Sequence, residues 1–237
     1  MFKMQLENIR FILTDIEGTT TSISFVYDVL FPYFRTHVER LKQVLNNPQV
    51  KLAFDQTIEI ASKEGKNIQT SDEIIKQLLD WSKADKKITP LKTLQGILWT
   101  EGYQTGEIKG HIYEDVMPAM EKWKTLGIDL GVFSSGSIAA QKLIFGYSEE
   151  GDLRPYFSAY FDTNTGSKRE TTTYQKIAEI IAIKPEHILF LSDIQEELEC
   201  AQKAGYQTIQ LVREGTEKKW NNSVTTFNEI QIFNGKI

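Results

Sequence analysis

Five short apolar runs, separated by longer stretches with helical spacing, restrict most strongly how this chain can fold. The runs are rich in β-branched and aromatic residues, which is typical of buried strands. They cover residues 9–14, 128–133, 156–161, 187–191 and 208–212. Strands that alternate with helices form mostly parallel sheets with right-handed crossovers. The sequence therefore predicts an α/β fold with a Rossmann-like parallel sheet.

A long insertion follows the first of these runs. Between residues 24 and 110 apolar residues recur at helical spacing, and no second strand pattern is present. A chain of 237 residues is long enough for one α/β domain that carries such an insertion. We therefore expect an all-helical domain at residues 23–111, inserted into an α/β core formed by residues 1–22 and 112–237.

Proline and threonine residues mark where helices of the insertion begin. Pro48 and Pro90 occupy positions typical of the first helical turn, where proline loses no hydrogen bond. Thr70 and Glu73 have the spacing of a capping box. Pro32 interrupts an earlier helical run, and its missing backbone donor predicts a bend or break at the residue before it.

Composition limits the class of partner. The formal net charge is -5 and the pI is about 5.4, whereas nucleic-acid surfaces need clustered Lys and Arg. The single cysteine, Cys200, excludes a disulfide within the chain. No apolar stretch approaches the 18 residues typical of a membrane span. We expect a soluble, cytoplasmic and monomeric protein that binds a small molecule and has neither nucleic acid nor membrane as a partner.

Polar residues follow four of the predicted strands. Carboxyl ends of parallel strands meet at one edge of a sheet, so residues far apart in sequence converge there. Carboxylate oxygens are ligands that Mg2+ prefers, and Mg2+ also binds substrate phosphate. The set therefore predicts a site for Mg2+ and a phosphate group. Its members are Asp15 and Glu17, Ser134 and Ser135, Lys168, and Asp193.

These residue types are suited to phosphoryl transfer. Asp15 and Asp193 supply metal ligands, while Lys168 and the Ser134 hydroxyl bind phosphate oxygens and neutralise their charge. In such a site the Asp15 carboxylate would attack phosphorus to give an aspartyl-phosphate. Glu17 would then be free to protonate the leaving oxygen and afterwards to deprotonate the attacking water.

Each residue also has a structural alternative. Asp15 and Gly18 are compatible with a simple turn at a strand end, and a serine before a helix usually caps it. Lys168 is compatible with a solvated loop charge. Asp193 precedes a helix, whose positive end favours acids. Their shared position at successive strand ends favours the phosphate site.

The motifs resemble those of the haloacid dehalogenase superfamily of phosphohydrolases. Residues 15–19, Ser134, Lys168 and residues 192–193 match its four motifs in order and spacing. The helical insertion resembles the cap domain with which that superfamily selects substrates. The resemblance also implies that Glu197 orients Lys168 or metal-bound water.

Glu17 narrows the resemblance, because most of these phosphatases have aspartate at that position. The enolase-phosphatases of the methionine salvage pathway have Asp-x-Glu-Gly-Thr-Thr, which is the sequence of residues 15–20. The likeness to that family extends through residues 15–26, 98–99, 102–103, 113–116, 134–137, 140–146 and 161–163.

The resemblance implies a Mg2+-dependent enzyme acting on 2,3-diketo-5-methylthiopentyl-1-phosphate. It would enolise the diketone and then remove the phosphate, giving the acireductone 1,2-dihydroxy-3-keto-5-methylthiopentene. The implied metal ligands are Asp15, the carbonyl group of Glu17, and Asp193. The implied substrate-binding residues are Ser134, Ser135 and Lys168, with Asp15 as nucleophile and Glu17 as acid and base.

Two other functions remain open at the level of sequence. A phosphatase or phosphomutase of the same superfamily that acts on another small phosphorylated metabolite would keep every catalytic residue. A protein that only binds a phosphate ligand is disfavoured, because it has no need of Asp15. The base for enolisation is also open between Glu17 and a residue of the helical insertion.

Overall fold

The computed structural model describes residues 4–233. Its strands are β1 (Met4–Glu7), β2 (Phe11–Thr14), β3 (Asp129–Phe133), β4 (Phe157–Phe161), β5 (Ile188–Ser192), β6 (Gln207–Leu211), β7 (Ser223–Val224) and β8 (Ile230–Phe233). Its α-helices are α1 (Ile23–Phe25), α2 (Phe31–His37), α3 (Pro48–Lys63), α4 (Ser71–Lys83), α5 (Thr89–Thr105), α6 (Val116–Thr125), α7 (Ile138–Gly146), α8 (Thr171–Ile181) and α9 (Gln195–Lys203).

The principal sheet is parallel, in the order β4-β3-β2-β5-β6-β7. Strand β2 lies between β3 and β5, so that Phe11 pairs with Asp129 on one side and with Ile188 on the other. Every residue of β2 and β5 is buried, as expected for strands that are covered on both faces. The predicted α/β fold with a parallel sheet is confirmed.

Tyr174 of α8 lies at the centre of an aromatic cluster on this sheet. Its ring makes edge-on contacts with Phe133, Phe190 and Tyr206 at centroid distances of 5.7, 5.2 and 5.8 Å. Side chains of this size stabilise a fold by about 1.5–3 kcal/mol each when they are fully buried. The cluster fixes α8 against the strands whose carboxyl ends carry the predicted site.

Contacts divide the chain into two compact units. One contains residues up to 23 together with those from 109 onwards, and the other is Ser24–Ile108. The second unit is helical and has its own core, which includes Phe34, Leu78 and Trp81. No helix within residues 4–233 combines the length and apolarity needed to span a membrane.

The helix starts predicted in the second unit are present. Pro48 and Pro90 lie in the first turns of α3 and α5. Thr70 accepts a hydrogen bond from the Glu73 backbone, and the Glu73 side chain accepts one from the Thr70 backbone, which completes the capping box.

The helical run continues through Pro32 without a break, but it is not one regular α-helix, and a bend there stays a prediction. Residues Val26–Leu30 form a π-helical turn, and α2 continues directly from Phe31. Leu30 keeps helical angles, with φ -67° and ψ -48°. Pro32 lies in the first turn of α2, where its missing N–H breaks no α-helical hydrogen bond. The change from π-helix to α-helix therefore accommodates Pro32 without interrupting the helix.

Three short strands were not predicted. Strand β1 pairs with β8 in a separate parallel ribbon, with Met4 opposite Ile230, and β7 extends the edge of the principal sheet. Strands of two to four residues are too short to show a periodic pattern. The charged and polar segment after Thr216 therefore contains more regular structure than its sequence indicates.

Candidate active site

A tight turn follows β2 and separates the two acids predicted there. The backbone N–H of Asp15 donates to Leu191 at 2.8 Å, which extends the pairing of β2 with β5 by one residue. The carbonyl oxygen of Ile16 then accepts from the N–H groups of Thr19, Thr20 and Thr21 at 3.2, 2.9 and 2.9 Å. The Asp15 side chain is 8% exposed, whereas Glu17 lies on the surface.

Gly18 brings this turn against Asp193. Its φ of +70° lies in the left-handed region that favours glycine. A Cβ atom at this position would lie only 2.7 Å from Cγ of Asp193. Glycine is therefore required both for the turn and for the close approach of the Asp193 carboxylate.

Lys168 is buried between two carboxylates. Its Nζ lies 2.7 Å from Oδ1 of Asp15 and 2.7 Å from Oε2 of Glu197, and all three side chains are at most 10% exposed. Burial by itself would lower the pKa of Lys168, but the negative charges of Asp15 and Glu197 outweigh it and raise that pKa. Lys168 is thus a charged, fixed group, and the alternative of a solvated lysine is excluded.

The backbone of Lys168 is fixed by the aromatic cluster. The Tyr174 hydroxyl donates to the Lys168 carbonyl oxygen at 2.8 Å, and the Tyr206 hydroxyl donates to the Tyr174 carbonyl oxygen at 2.8 Å. The Phe133 ring lies 5.7 Å from Nζ, within cation–π distance. Packing of the core therefore determines where the ammonium group lies.

Negative charge at this sheet edge is only partly compensated. Burial and the charges of Asp15 and Glu197 raise the pKa of Asp193 to about 8. Burial also raises the pKa of Glu197 to about 7, although Lys168 and a 2.9 Å hydrogen bond from Ser192 favour its charged form. Three carboxyl groups share one ammonium group, so a bound cation would favour the charged forms of Asp193 and Glu197.

Asp193 provides the direct test of whether a metal fits. Its Oδ1 is buried and has no hydrogen-bond partner among residues 4–233. An orphaned carboxylate oxygen is unfavourable unless it ligates a cation. Among residues 4–233, no group of three or more His, Cys, Asp or Glu side chains is arranged to hold a metal ion. A site with two carboxylates, a backbone carbonyl and several waters is the arrangement that suits Mg2+, so Asp15 and Asp193 fit that ion.

Ser134 and Ser135 follow β3, the strand beside β2. Ser134 is 4% exposed, and its Oγ accepts from the Gly136 N–H at 3.1 Å. Ser135 is exposed. The cap of α7 is a different serine, Ser137, whose Oγ accepts from the Ala140 N–H at 3.2 Å. Ser134 and Ser135 are therefore not the helix cap and lie at the sheet edge that carries Asp15.

Two residues near the end of β6 contact the loops of this site without having been predicted. Nε2 of the buried Gln210 donates to the Asp193 carbonyl oxygen at 2.9 Å, and Arg213 donates to the carbonyl oxygen of Thr19. In the sequence these residues are visible only as a glutamine within a predicted strand and an arginine shortly after that strand. Neither pattern indicates which backbone oxygen will be contacted.

A parallel sheet with Asp15, Lys168 and Asp193 at one edge defines a haloacid dehalogenase-like hydrolase. The model of that family matches residues 9–205. The chain belongs, within these hydrolases, to the enolase-phosphatase E1 family. It is 47% identical to enolase-phosphatase E1 of Picosynechococcus sp., over 94% of this chain and 98% of that protein. It is 50% identical to the Citrobacter koseri enzyme of the same name, over 94% and 96% of the two chains.

Solved structures share the fold of this chain. The UTR4 protein of Saccharomyces cerevisiae is 34% identical, with a TM-score of 0.78 and coverage of 93% of this chain and 99% of that one. CbbY of Rhodobacter sphaeroides in complex with phosphate is 16% identical, with a TM-score of 0.57 over 92% and 95% of the two chains. The second likeness concerns the fold alone.

Proposed function

We propose that this protein enolises 2,3-diketo-5-methylthiopentyl-1-phosphate and then hydrolyses its phosphate ester, releasing 1,2-dihydroxy-3-keto-5-methylthiopentene. The relatives named as enolase-phosphatases and the Asp15–Thr20 motif support the choice of substrate. The observation that carries the phosphoryl-transfer chemistry is the buried group formed by Asp15, Lys168 and Glu197 next to the orphaned oxygen of Asp193.

Asp15 is the proposed nucleophile. Its Oδ1 accepts from the Ile16 N–H and from Lys168, each at 2.7 Å. These bonds orient the carboxylate so that Oδ2 is the oxygen that attacks phosphorus. The new bond joins Oδ2 to phosphorus as the ester bond to the substrate oxygen breaks, which gives an aspartyl-phosphate.

Glu17 is the proposed acid and base for both halves of the phosphate transfer. In the first half its carboxyl group gives a proton to the leaving oxygen, and in the second half its carboxylate takes a proton from the attacking water. Water then forms the new bond to phosphorus, and the bond to Oδ2 of Asp15 breaks. Its exposed position on the turn after Asp15 suits a group that must exchange protons with substrate and water.

The proposed cofactor is Mg2+, held by Asp15, by the carbonyl oxygen of Glu17 and by Asp193. When bound, this ion neutralises charge on the phosphate oxygens and on the carboxylates. Lys168 supplies a second fixed positive charge, and Ser134 and Ser135 supply hydrogen bonds to the phosphate. Fixed charges of this kind stabilise the transition state without reorganisation.

A product assay tests the proposal. The purified protein is incubated with the diketone phosphate, with Mg2+ or with EDTA, and free phosphate and ultraviolet absorbance are followed together. We expect phosphate release and an acireductone absorbance signal, both dependent on Mg2+. Phosphate release without that absorbance would instead assign the protein to phosphatases that act on another small phosphorylated metabolite. Absence of both products would reject catalysis on this substrate.

A further inference from the structure

Arg213 is a buried arginine just beyond β6. Its side chain is 7% exposed and forms an ion pair with Asp115 at 3.0 Å. Nε and Nη2 both donate to the Thr19 carbonyl oxygen, at 3.2 and 3.1 Å, and Nη1 donates to the Thr225 carbonyl oxygen at 3.1 Å. Every nitrogen of the guanidinium group therefore contacts an oxygen that belongs to another segment of the chain.

Aromatic rings and hydrogen bonds fix the orientation of the Arg213 guanidinium group. The guanidinium lies 4.2 Å from the ring centroid of Tyr113 and 5.3 Å from that of Phe227. Asp115 is held in turn, because its Oδ2 accepts from Thr226 Oγ1 at 2.8 Å and from the Phe227 N–H at 2.6 Å. These contacts fix the rotamer of the planar guanidinium group. Its hydrogen bonds to Thr19 therefore cost little further conformational freedom.

The contact with Thr19 is significant because Thr19 belongs to the turn that carries the proposed catalytic acids. The N–H of Thr19 bonds within the turn, to Ile16, but its carbonyl oxygen bonds outward to Arg213. Thr19 directly follows Gly18, which has no room for movement toward Asp193. A displacement of Thr19 would therefore be transmitted to Gly18 and Glu17.

We propose that Arg213 is a positioning residue for this turn, which holds the backbone of Glu17 where its carbonyl oxygen and side chain are needed. Arg213 contacts neither substrate nor metal, and Asp115 acts by orienting Arg213. The inference rests on the roles proposed above for Asp15 and Glu17, but its structural consequence for the turn does not depend on the identity of the substrate.

The test compares Arg213→Met with Arg154→Met. Arg154 is the matched control, because it also forms a close arginine–carboxylate pair, with Asp152 at 2.6 Å, but is 47% exposed. We expect Arg213→Met to lower kcat by about 10- to 100-fold, the loss typical of a small misplacement of catalytic groups, with KM nearly unchanged. The Mg2+ concentration for half-maximal activity should rise several-fold, and Arg154→Met should change neither quantity.

Hydrogen exchange provides a readout that is independent of activity. In Arg213→Met without metal, the amides of Thr19, Thr20 and Thr21 should exchange at least about tenfold faster, because the turn opens locally. Amides within β2 should keep their protection, since the sheet is not altered. Mg2+ binding, measured as the rise in unfolding temperature on titration, should weaken in parallel.

The double variant Arg213→Met with Asp115→Asn addresses the possibility that the single variant misfolds. It removes both charges and leaves an amide oxygen that can still accept from Thr226 and Phe227. The same changes in kcat, Mg2+ requirement and turn exchange are expected. Unchanged Mg2+ requirement and unchanged turn exchange, with only a lower unfolding temperature, would overturn the proposal. If the unmodified protein had no activity on the diketone phosphate, the exchange comparison would still decide the role of Arg213.

Discussion

The ammonium group of Lys168 lies 2.7 Å from Oδ1 of Asp15, the same oxygen that accepts the Ile16 N–H. Both of these contacts therefore end on one oxygen of the carboxylate. The arrangement orients the carboxylate and balances its charge. It also makes the site sensitive to removal of either charge, because each is buried.

Replacement of Asp15 by asparagine should abolish turnover. An amide is a poor nucleophile and a weak metal ligand, so we expect kcat to fall by at least about 1,000-fold. The fold should be retained, because the amide oxygen of the new side chain can still accept from the Ile16 N–H. The measurement is phosphate release under single-turnover conditions, with circular dichroism as the test of folding.

Asp129→Asn is the matched control for that variant. Asp129 begins the neighbouring strand β3, is 56% exposed and pairs with Lys124 at 3.1 Å. Its replacement should leave kcat within about twofold, since exposed ion pairs contribute little. If Asp15→Asn retained turnover comparable to this control, the aspartyl-phosphate mechanism would be rejected.

Lys168→Met should impair both stability and catalysis. It leaves Asp15 and Glu197 buried without their cation, and breaking a buried pair in this way typically costs about 3–5 kcal/mol of unfolding free energy. The rate should fall by about 100-fold or more through lost charge stabilisation. Urea unfolding without metal measures the first effect, and the phosphate assay measures the second.

The double variant Lys168→Met with Glu197→Gln separates these two effects. Removal of one unpaired charge should recover part of the lost stability, while the amide oxygen of the introduced glutamine can still accept from the Ser192 hydroxyl, as the Glu197 carboxylate does. Activity should remain as low as in the single variant. Full recovery of activity together with stability would assign Lys168 a structural role only.

Strand-end residues were the part of the site that sequence could predict. Asp15, Ser134 and Asp193 each follow a buried apolar run, and the parallel pairing of β2, β3 and β5 places all three at one edge. Lys168 was predicted from its place on the loop after a fourth strand, but an isolated loop lysine gives no indication of burial. Its position depends on the Tyr174 hydroxyl, and the sequence of α8 does not indicate that this hydroxyl contacts the Lys168 backbone.

The contacts of Arg213 and Gln210 could not be predicted. Both side chains donate to backbone carbonyl oxygens. Because every residue type has such an oxygen, the sequence does not indicate which residue will be the acceptor. The Thr19 and Asp193 contacts span 194 and 17 residues respectively. The same limitation applies to β1 and β8, whose pairing joins the two ends of the described chain.

Metal-free protein should become less stable as pH rises. An unfolded aspartate has a pKa of about 3.9, whereas the folded pKa of Asp193 is raised to about 8 by burial and by the charges of Asp15 and Glu197. Between these values the folded state binds more protons, so the unfolding free energy falls as pH increases and levels off above about pH 8. Urea midpoints in EDTA at several pH values measure this dependence.

Mg2+ should remove that dependence, because it replaces the proton as the partner of the carboxylate. At 100 times its dissociation constant, an ion that binds only the folded state adds about 2.7 kcal/mol to the unfolding free energy. Asp193→Asn should reduce the pH dependence without metal to the part contributed by Glu197, whose pKa is also raised, and should lose the response to Mg2+. A profile that is identical in the variant and the unmodified protein would argue against the proposed role of Asp193.

Gly18→Ala should inactivate the protein because its Cβ would displace the Asp193 carboxylate, and this effect can be separated from backbone strain. Gly18 and Gly127 have nearly the same left-handed φ, +70° and +71°, and both lie in the unit that contains the sheet. A Cβ at Gly127 meets nothing within 4 Å, whereas a Cβ at Gly18 collides with the Asp193 carboxylate. Gly127→Ala should therefore cost only the strain of a left-handed alanine, about 1 kcal/mol of unfolding free energy, and retain full activity.

Gly18→Ala should show this strain together with a displaced Asp193. It should therefore lose phosphate release, and it should lose Mg2+ binding as measured by calorimetry. Equal activity in the two alanine variants would show that the close approach of Gly18 to Asp193 does not matter for the reaction.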